Sequence, residues 1–262
     1  MDRADYYKYY QENIELLDCE IEQVKSSAQR VIGEKAWQEK NGRDSTQIAV
    51  TEKKVKANTR LYTFLICSWF EARLLKMLYE TSSVAFSDSE IQAIRNMKSM
   101  SQKWKTSFLM AVCKSYGFPY VPNKDYTSDF TNGSIEQKHY IKICSLFIDV
   151  EDAITIRNRL AHGQWEVQFN SENTRVVNYD FLNRYDNIQK LHSLKQCFNE
   201  IADIISAYVT YKDKRNANFS QIVEGKLKNI IQIKKRIENS DYQKYINQLE
   251  RVYAKTVTRQ AR

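Results

Sequence analysis

Apolar side chains recur at intervals of three and four along most of this chain, the spacing that gives a helix one buried face. Tyr7, Tyr10, Ile14, Leu17, Ile21, Val24, Ala28 and Val31 alternate the two intervals without a break. A mean repeat of three and a half residues predicts a long helix lying nearly parallel or antiparallel to a partner, which the same chain can supply. Lys40 to Ser45 then reads as a loop. A second long helix is predicted from about Val50 to Tyr79, with Ala57, Leu61, Phe64, Ser68, Ala72 and Leu75 on one stripe. Glu71 interrupts its apolar run, and a buried carboxylate needs a hydrogen bond or a cation.

Ser87-Asp88-Ser89-Glu90 supplies caps for a third helix carrying Ile91, Ile94, Met97, Trp104, Phe108 and Val112 into the core. Tyr116 to Ser134 changes character: both prolines and several aromatic residues fall in a long loop, for which packing onto the core is the stronger expectation and base stacking the weaker. Ser134 and Gln137 form a capping box opening a helix over about 134–162. A small β-hairpin is expected at about 165–179, from the alternation after Trp165 and the β-branched run at Arg175 to Tyr179. Ile188, Leu191, Leu194, Phe198, Ile201 and Ile205 mark a further helix reaching Tyr211, on which His192 reads as a structural histidine. Tyr242, Tyr245, Ile246, Leu249, Val252, Tyr253 and Val257 make a last amphipathic stripe that must cover the core, a second protomer or a partner protein.

Composition agrees with an all-α chain, since 262 residues include only six glycines and two prolines. Five scattered cysteines, with no C-x-x-C or Cys/His cluster, argue against zinc and against a secreted disulfide scaffold. The start lacks the apolar core of a signal peptide, and the most apolar run, Leu61 to Phe70, is too short to span a bilayer. A cytoplasmic protein without membrane or cofactor is expected. The net charge of +8 lies in the tail: residues 212–262 hold thirteen Lys and Arg against five Asp and Glu. The division expected is therefore a helical domain over 1–211 and a basic amphipathic tail over 212–262. Lys226, Lys228, Lys234, Lys235 and Arg236 are the candidates for contacting RNA phosphates through counterion release, with a solvated helix face as the equally weighted alternative.

The candidate chemistry lies where the 134–162 helix ends. Arg157, Asn158, Arg159 and His162 follow an apolar run, and Gly163 supplies the stop. Asn158 and His162 stand four apart, on one helical face. Arg157 offers a planar fork suited to a phosphate, and a helix C-terminus favours a protonated imidazole.

An arginine, a polar residue and a histidine at R-x4-6-H spacing resemble the motif of HEPN domains, all-helical modules that include many metal-independent endoribonucleases. The resemblance covers mainly Val50 to Tyr211. It implies an antiparallel helical bundle, a homodimer whose two motifs line one cleft, and RNA as substrate. By resemblance, His162 serves as general acid and base, Arg157 stabilises the phosphate and Asn158 orients His162 or the phosphate. Ser68, Glu71 and Arg159 support them, with Arg157 or Arg159 a candidate partner for Glu71. The branch implied is a toxin or phage-defence effector with an antitoxin or defence-system protein as partner, although Gln164 stands where toxins silenced by a nucleotidyltransferase antitoxin often have tyrosine. The alternative is a non-catalytic HEPN scaffold that binds RNA or a protein. A helix end that carries Arg and His for its dipole alone is the bland counterpart of the motif.

Overall fold

The computed structural model describes residues 2–82, 85–147, 160, 174–176, 187–211 and 217–260. Among these residues there are eight α-helices: α1 (Arg3–Lys40), α2 (Ser45–Leu78), α3 (Asp88–Arg95), α4 (Met100–Tyr116), α5 (Ile135–Leu146), α6 (Ile188–Thr210), α7 (Ala217–Glu238) and α8 (Tyr242–Gln260). The described part of the chain is therefore all-α, in line with its periodicity and shortage of turn residues. Two compact units divide it, one of residues 1–15, 69–155 and 194–234, the other of 16–68, 156–193 and 235–262.

Aromatic side chains make the core of the first unit. The Phe198 ring lies 4.9 Å from Phe70 and 5.2 Å from Trp104, and all three are buried. Phe108 touches Tyr140, Phe147 and Tyr208. Burying one such ring stabilises the fold by roughly 2–3 kcal/mol, so this cluster supplies much of the unit's driving force.

The predicted third helix is two helices. Ser87 caps α3, with Glu90 completing the reciprocal box, and a second box at Ser99 and Gln102 starts α4. Each box satisfies backbone N–H groups that a helix start leaves unpaired, so the second start at Ser99 is self-supporting. Of the expected core residues, Ile91, Ile94, Trp104, Phe108 and Val112 are buried, whereas Met97 falls between the two helices and is half-buried. Gly117 ends α4 in the left-handed conformation, where a side chain would be strained. The loop that follows packs down. Tyr126 is fully buried; its hydroxyl donates to the Pro119 carbonyl at 2.9 Å and accepts from the Val121 amide at 2.6 Å.

Ser134 caps α5 by accepting from the Gln137 amide, while the Gln137 side chain reaches one residue further back, accepting from the Gly133 amide at 2.7 Å. α5 closes at Leu146 with Phe147 as its C-cap. Residues 148–159 lie outside the described residues, so a single helix over 134–162 is seen only as far as Leu146. Of the expected hairpin at 165–179, Thr174, Arg175 and Val176 alone are described: two bends and one bridge residue, all exposed.

In the second unit, Gly42 adopts a positive φ and the Arg43 amide donates to the Gln38 carbonyl at 3.0 Å, which stops α1 and turns the chain. Asp44 then accepts from the Thr46 amide at the start of α2. The turn brings Lys35 of α1 against Glu52 of α2. α8 lies along α1: Gln29 donates to the Tyr245 hydroxyl, Gly33 abuts Leu249, and Trp37 meets Tyr253. These partners rise together in fours, so the two helices run parallel. The final apolar stripe thus has a partner in its own chain. Its members are half-buried except Val252, which is 63% exposed.

The buried face of α2 differs from the predicted stripe. Of that stripe Ala72 is buried, Phe64, Ser68 and Leu75 are half-buried and Ala57 and Leu61 are exposed, whereas Thr59, Tyr62, Thr63, Ile66, Phe70 and Leu74 are buried. The helix is apolar nearly all round between Leu61 and Phe70, so its sequence pattern does not single out a face.

Candidate functional site

Arg157, Asn158, Arg159 and His162 lie outside the described residues, as does Gly163. Leu160, inside the motif, is helical and buried at 2% exposure. Of the supporting residues, Ser68 is half-buried in the second unit and donates to the Phe64 carbonyl at 3.0 Å. Glu71 is half-buried in the first unit.

In the first unit, α2 carries a largely buried charge in Arg73, two residues beyond Glu71. Its side chain is 11% exposed and donates to Asp203 at 2.5 Å and to Asn199 at 2.9 Å, both on α6. Burial draws the Arg73 guanidinium below its usual pKa, and the Asp203 charge opposes that. The other Asp203 oxygen accepts from Lys226 of α7 at 2.6 Å, and Glu200 lies 3.4 Å from the same ammonium. Burial acts to lower the Lys226 pKa, but the hydrogen bond and charge of Asp203 outweigh it, and the net shift is upward. Lys226 is thereby committed to an internal network, while Lys228, Lys235 and Arg236 are exposed and Lys234 is half-buried. The sequence carried a signal for this network, because Asp203 is a lone acid in Ile201-Ala202-Asp203-Ile204-Ile205.

The second unit holds a separate polar set. The Tyr62 hydroxyl is 3.2 Å from Nδ1 of His192, which gives the histidine the structural partner expected of it. Burial pushes the Tyr62 pKa up, so the phenol stays protonated; in the Nε2–H tautomer of His192 it donates to Nδ1. Arg60, Thr59 and Thr63 are buried on the same helix. Nearby in sequence to the α1–α2 turn, α1, α2 and α8 enclose a groove of about 630 Å³. Its charges are largely paired: Lys35 with Glu52 and Glu39, and Lys40 with the buried Glu250 at 3.0 Å. Such a wall offers neither a free nucleophile beside a base nor a field of one sign.

Among the described residues no group of three or more His, Cys, Asp or Glu stands together as a metal site, and no helix is long and apolar enough to cross a membrane. Comparison with family models, curated proteins and solved structures finds no match to this chain.

Proposed function

We propose that the protein is a HEPN-type endoribonuclease that cuts RNA without a metal ion, as a toxin or phage-defence effector. The observation that carries this reading is the run Arg157-Asn158-Arg159-Leu160-Ala161-His162-Gly163. The all-helical architecture and the helical, buried Leu160 inside the run are in keeping with it.

In this reading His162 takes the proton from the ribose 2′-hydroxyl, and the 2′-oxygen attacks the adjacent phosphorus. The bond from phosphorus to the 5′-oxygen breaks, the leaving oxygen is protonated, and a 2′,3′-cyclic phosphate remains. Arg157 stabilises charge on the non-bridging oxygens, where a bidentate guanidinium fits best. Asn158 orients the histidine or the phosphate, and Ser68, Glu71 and Arg159 are the supporting residues that the resemblance names. A homodimer would place two such sets on one cleft, and a partner protein of the toxin or defence system would hold the activity in check.

The test is incubation of the purified protein with total RNA in excess chelator, followed by end-group analysis. Cyclic phosphate ends are expected. His162→Ala and Arg157→Ala each lower the rate by about 10²-fold or more, the usual worth of a general acid or base, with unchanged circular dichroism. Cleavage that survives either substitution removes the proposal, and RNA binding without cleavage would support the scaffold alternative.

A further inference from the structure

Among the described residues, no carboxylate pairs with the cations on the outward side of α8. Lys244, Arg251, Lys255 and Arg259 are all exposed and are spaced seven, four and four residues apart. At ~100° per residue they fall within an arc of about 80°, and they span ~22 Å of helix. Glu250 is the one carboxylate in α8, and it faces the other way: it is 7% exposed and bound to Lys40 of α1. Asp241, just ahead of the helix, accepts from the Lys244 amide and so acts as a cap. Among the described residues none of the four cations makes an ion pair with a carboxylate.

Packing fixes which way this stripe looks. Tyr245, Leu249 and Tyr253 are turned onto α1, where Leu249 meets Gly33 at backbone distance. Lys244, Lys255 and Arg259 therefore look away from α1, Arg251 stands at the edge of their face where it also lines the groove between α1, α2 and α8, and burial of Glu250 against Lys40 removes the one carboxylate of α8 from that face. A helix face with four like charges and no counter-charge is unfavourable for stability, since like charges at i,i+4 repel. A partner of opposite sign would relieve that repulsion.

We infer that the Lys244–Arg251–Lys255–Arg259 face of α8 binds the sugar–phosphate backbone of RNA, independently of base sequence. The choice of RNA among polyanions rests on the ribonuclease reading above; the cationic face itself does not. This places a phosphate-tracking surface on residues other than Lys226 to Arg236, with each cation contacting phosphate as a point charge or a fork.

The test uses the full chain carrying His162→Ala, so that RNA is retained intact, and reads fluorescence anisotropy of a labelled single-stranded RNA over a range of salt. Reversing all four cations (K244E, R251E, K255E, R259E) is expected to weaken binding by about 10²-fold at 0.1 M salt and to make the log–log salt slope shallower by about 3, at ~0.7 per phosphate contact. A control of equal charge, Lys53→Glu, Lys54→Glu, Lys98→Glu and Lys138→Glu at exposed positions, retains most of the slope. Circular dichroism checks that both variants keep their helices. Equal weakening by the control, no RNA binding by the parent, or preference for anionic lipid vesicles over RNA would each overturn the inference. The ribonuclease reading is judged separately, by cyclic phosphate ends from the wild type. Stripe-dependent RNA binding by a protein that cuts nothing would keep the inference and lose that reading.

Discussion

A Cβ placed on Gly33 would stand 2.6 Å from the carbonyl oxygen of Leu249, closer than Cβ atoms approach their neighbours, so α1 and α8 meet backbone to backbone at this pair. Glycine in the middle of a helix costs about 1 kcal/mol relative to alanine, and here the close approach of a second helix offsets that cost. Gly33→Ala is expected to lower stability by about 1–3 kcal/mol, because the oxygen it meets belongs to backbone that cannot rotate away. Gly225, also within a helix, has nothing within 4 Å of its Cβ position. Gly225→Ala should therefore stabilise by roughly 0.5–1 kcal/mol. Urea unfolding of both variants checks the contrast, and a Gly33→Ala protein as stable as wild type would refute the contact.

Asp203 serves two cations, Arg73 and Lys226, which sit on different helices. Removing it leaves a guanidinium 11% exposed without its ion-pair partner, and adds repulsion between the cations. Asp203→Ala should cost about 3 kcal/mol, toward the low end for a broken buried pair because Asp203 itself keeps some solvent. Lys226→Ala should cost no more than about 1 kcal/mol, since its ammonium can be replaced by water. Denaturant midpoints decide between them, and equal losses would show that Asp203 does not anchor Arg73.

Much of this architecture was legible where one periodicity and one cap agreed. Ile14, Ile21 and Ala28 kept the α1 repeat and are buried, and Ser87 and Ser134 begin helices where their hydroxyls satisfy free amides. The stripe on α2 was not legible, since a segment apolar on every side can be rotated without changing its pattern. The break before Ser99 was missed for a different reason: Ile94, Trp104 and Phe108 continue an apolar series across it, and only the Ser99–Gln102 box marks the new start. Gly33 and Asp203 were single residues out of keeping with their runs, whose meaning depended on Leu249 and Arg73, far away in sequence. At the candidate site, the motif from Arg157 to His162 was legible as a sequence alone, and Arg157, Asn158, Arg159 and His162 fall outside the described residues.

Nine tyrosines, at positions 7, 10, 62, 116, 126, 140, 208, 245 and 253, are held above the usual phenol value of 10.0, burial being the largest cause for each. Tyr126 is pushed up to about 12. In the unfolded chain these phenols release protons near 10.0, while the native state retains them. The native state then holds more protons, so stability falls as pH rises from about 10 upward, and this contribution is intact below that point. Thermal melts followed by circular dichroism should show the midpoint dropping steeply above about pH 10, together with a rise in tyrosinate absorbance. Full tyrosinate titration near pH 10 with the helices intact would contradict this burial.

Two histidines are predicted to separate stability from cleavage. His139, half-buried on α5, has its pKa lowered by burial, with the charges of Glu224 and Glu136 pulling upward and Lys142 downward. As pH falls through the unfolded value of 6.5 toward the lower native one, the unfolded chain takes up its proton first, and the native state loses stability. The loss should be small, because His139 keeps contact with water. His139→Gln removes this part of the slope below 6.5 and leaves RNA cleavage unchanged, since the position plays no part in the proposed chemistry. His162→Ala does the reverse: cleavage falls by about 10²-fold or more while the His139 part of the acid slope persists. Melting temperatures and cleavage rates on both variants, across the same pH range, provide the check. A His139→Gln protein that no longer cuts RNA would move the catalytic role away from His162, and with it the proposed site.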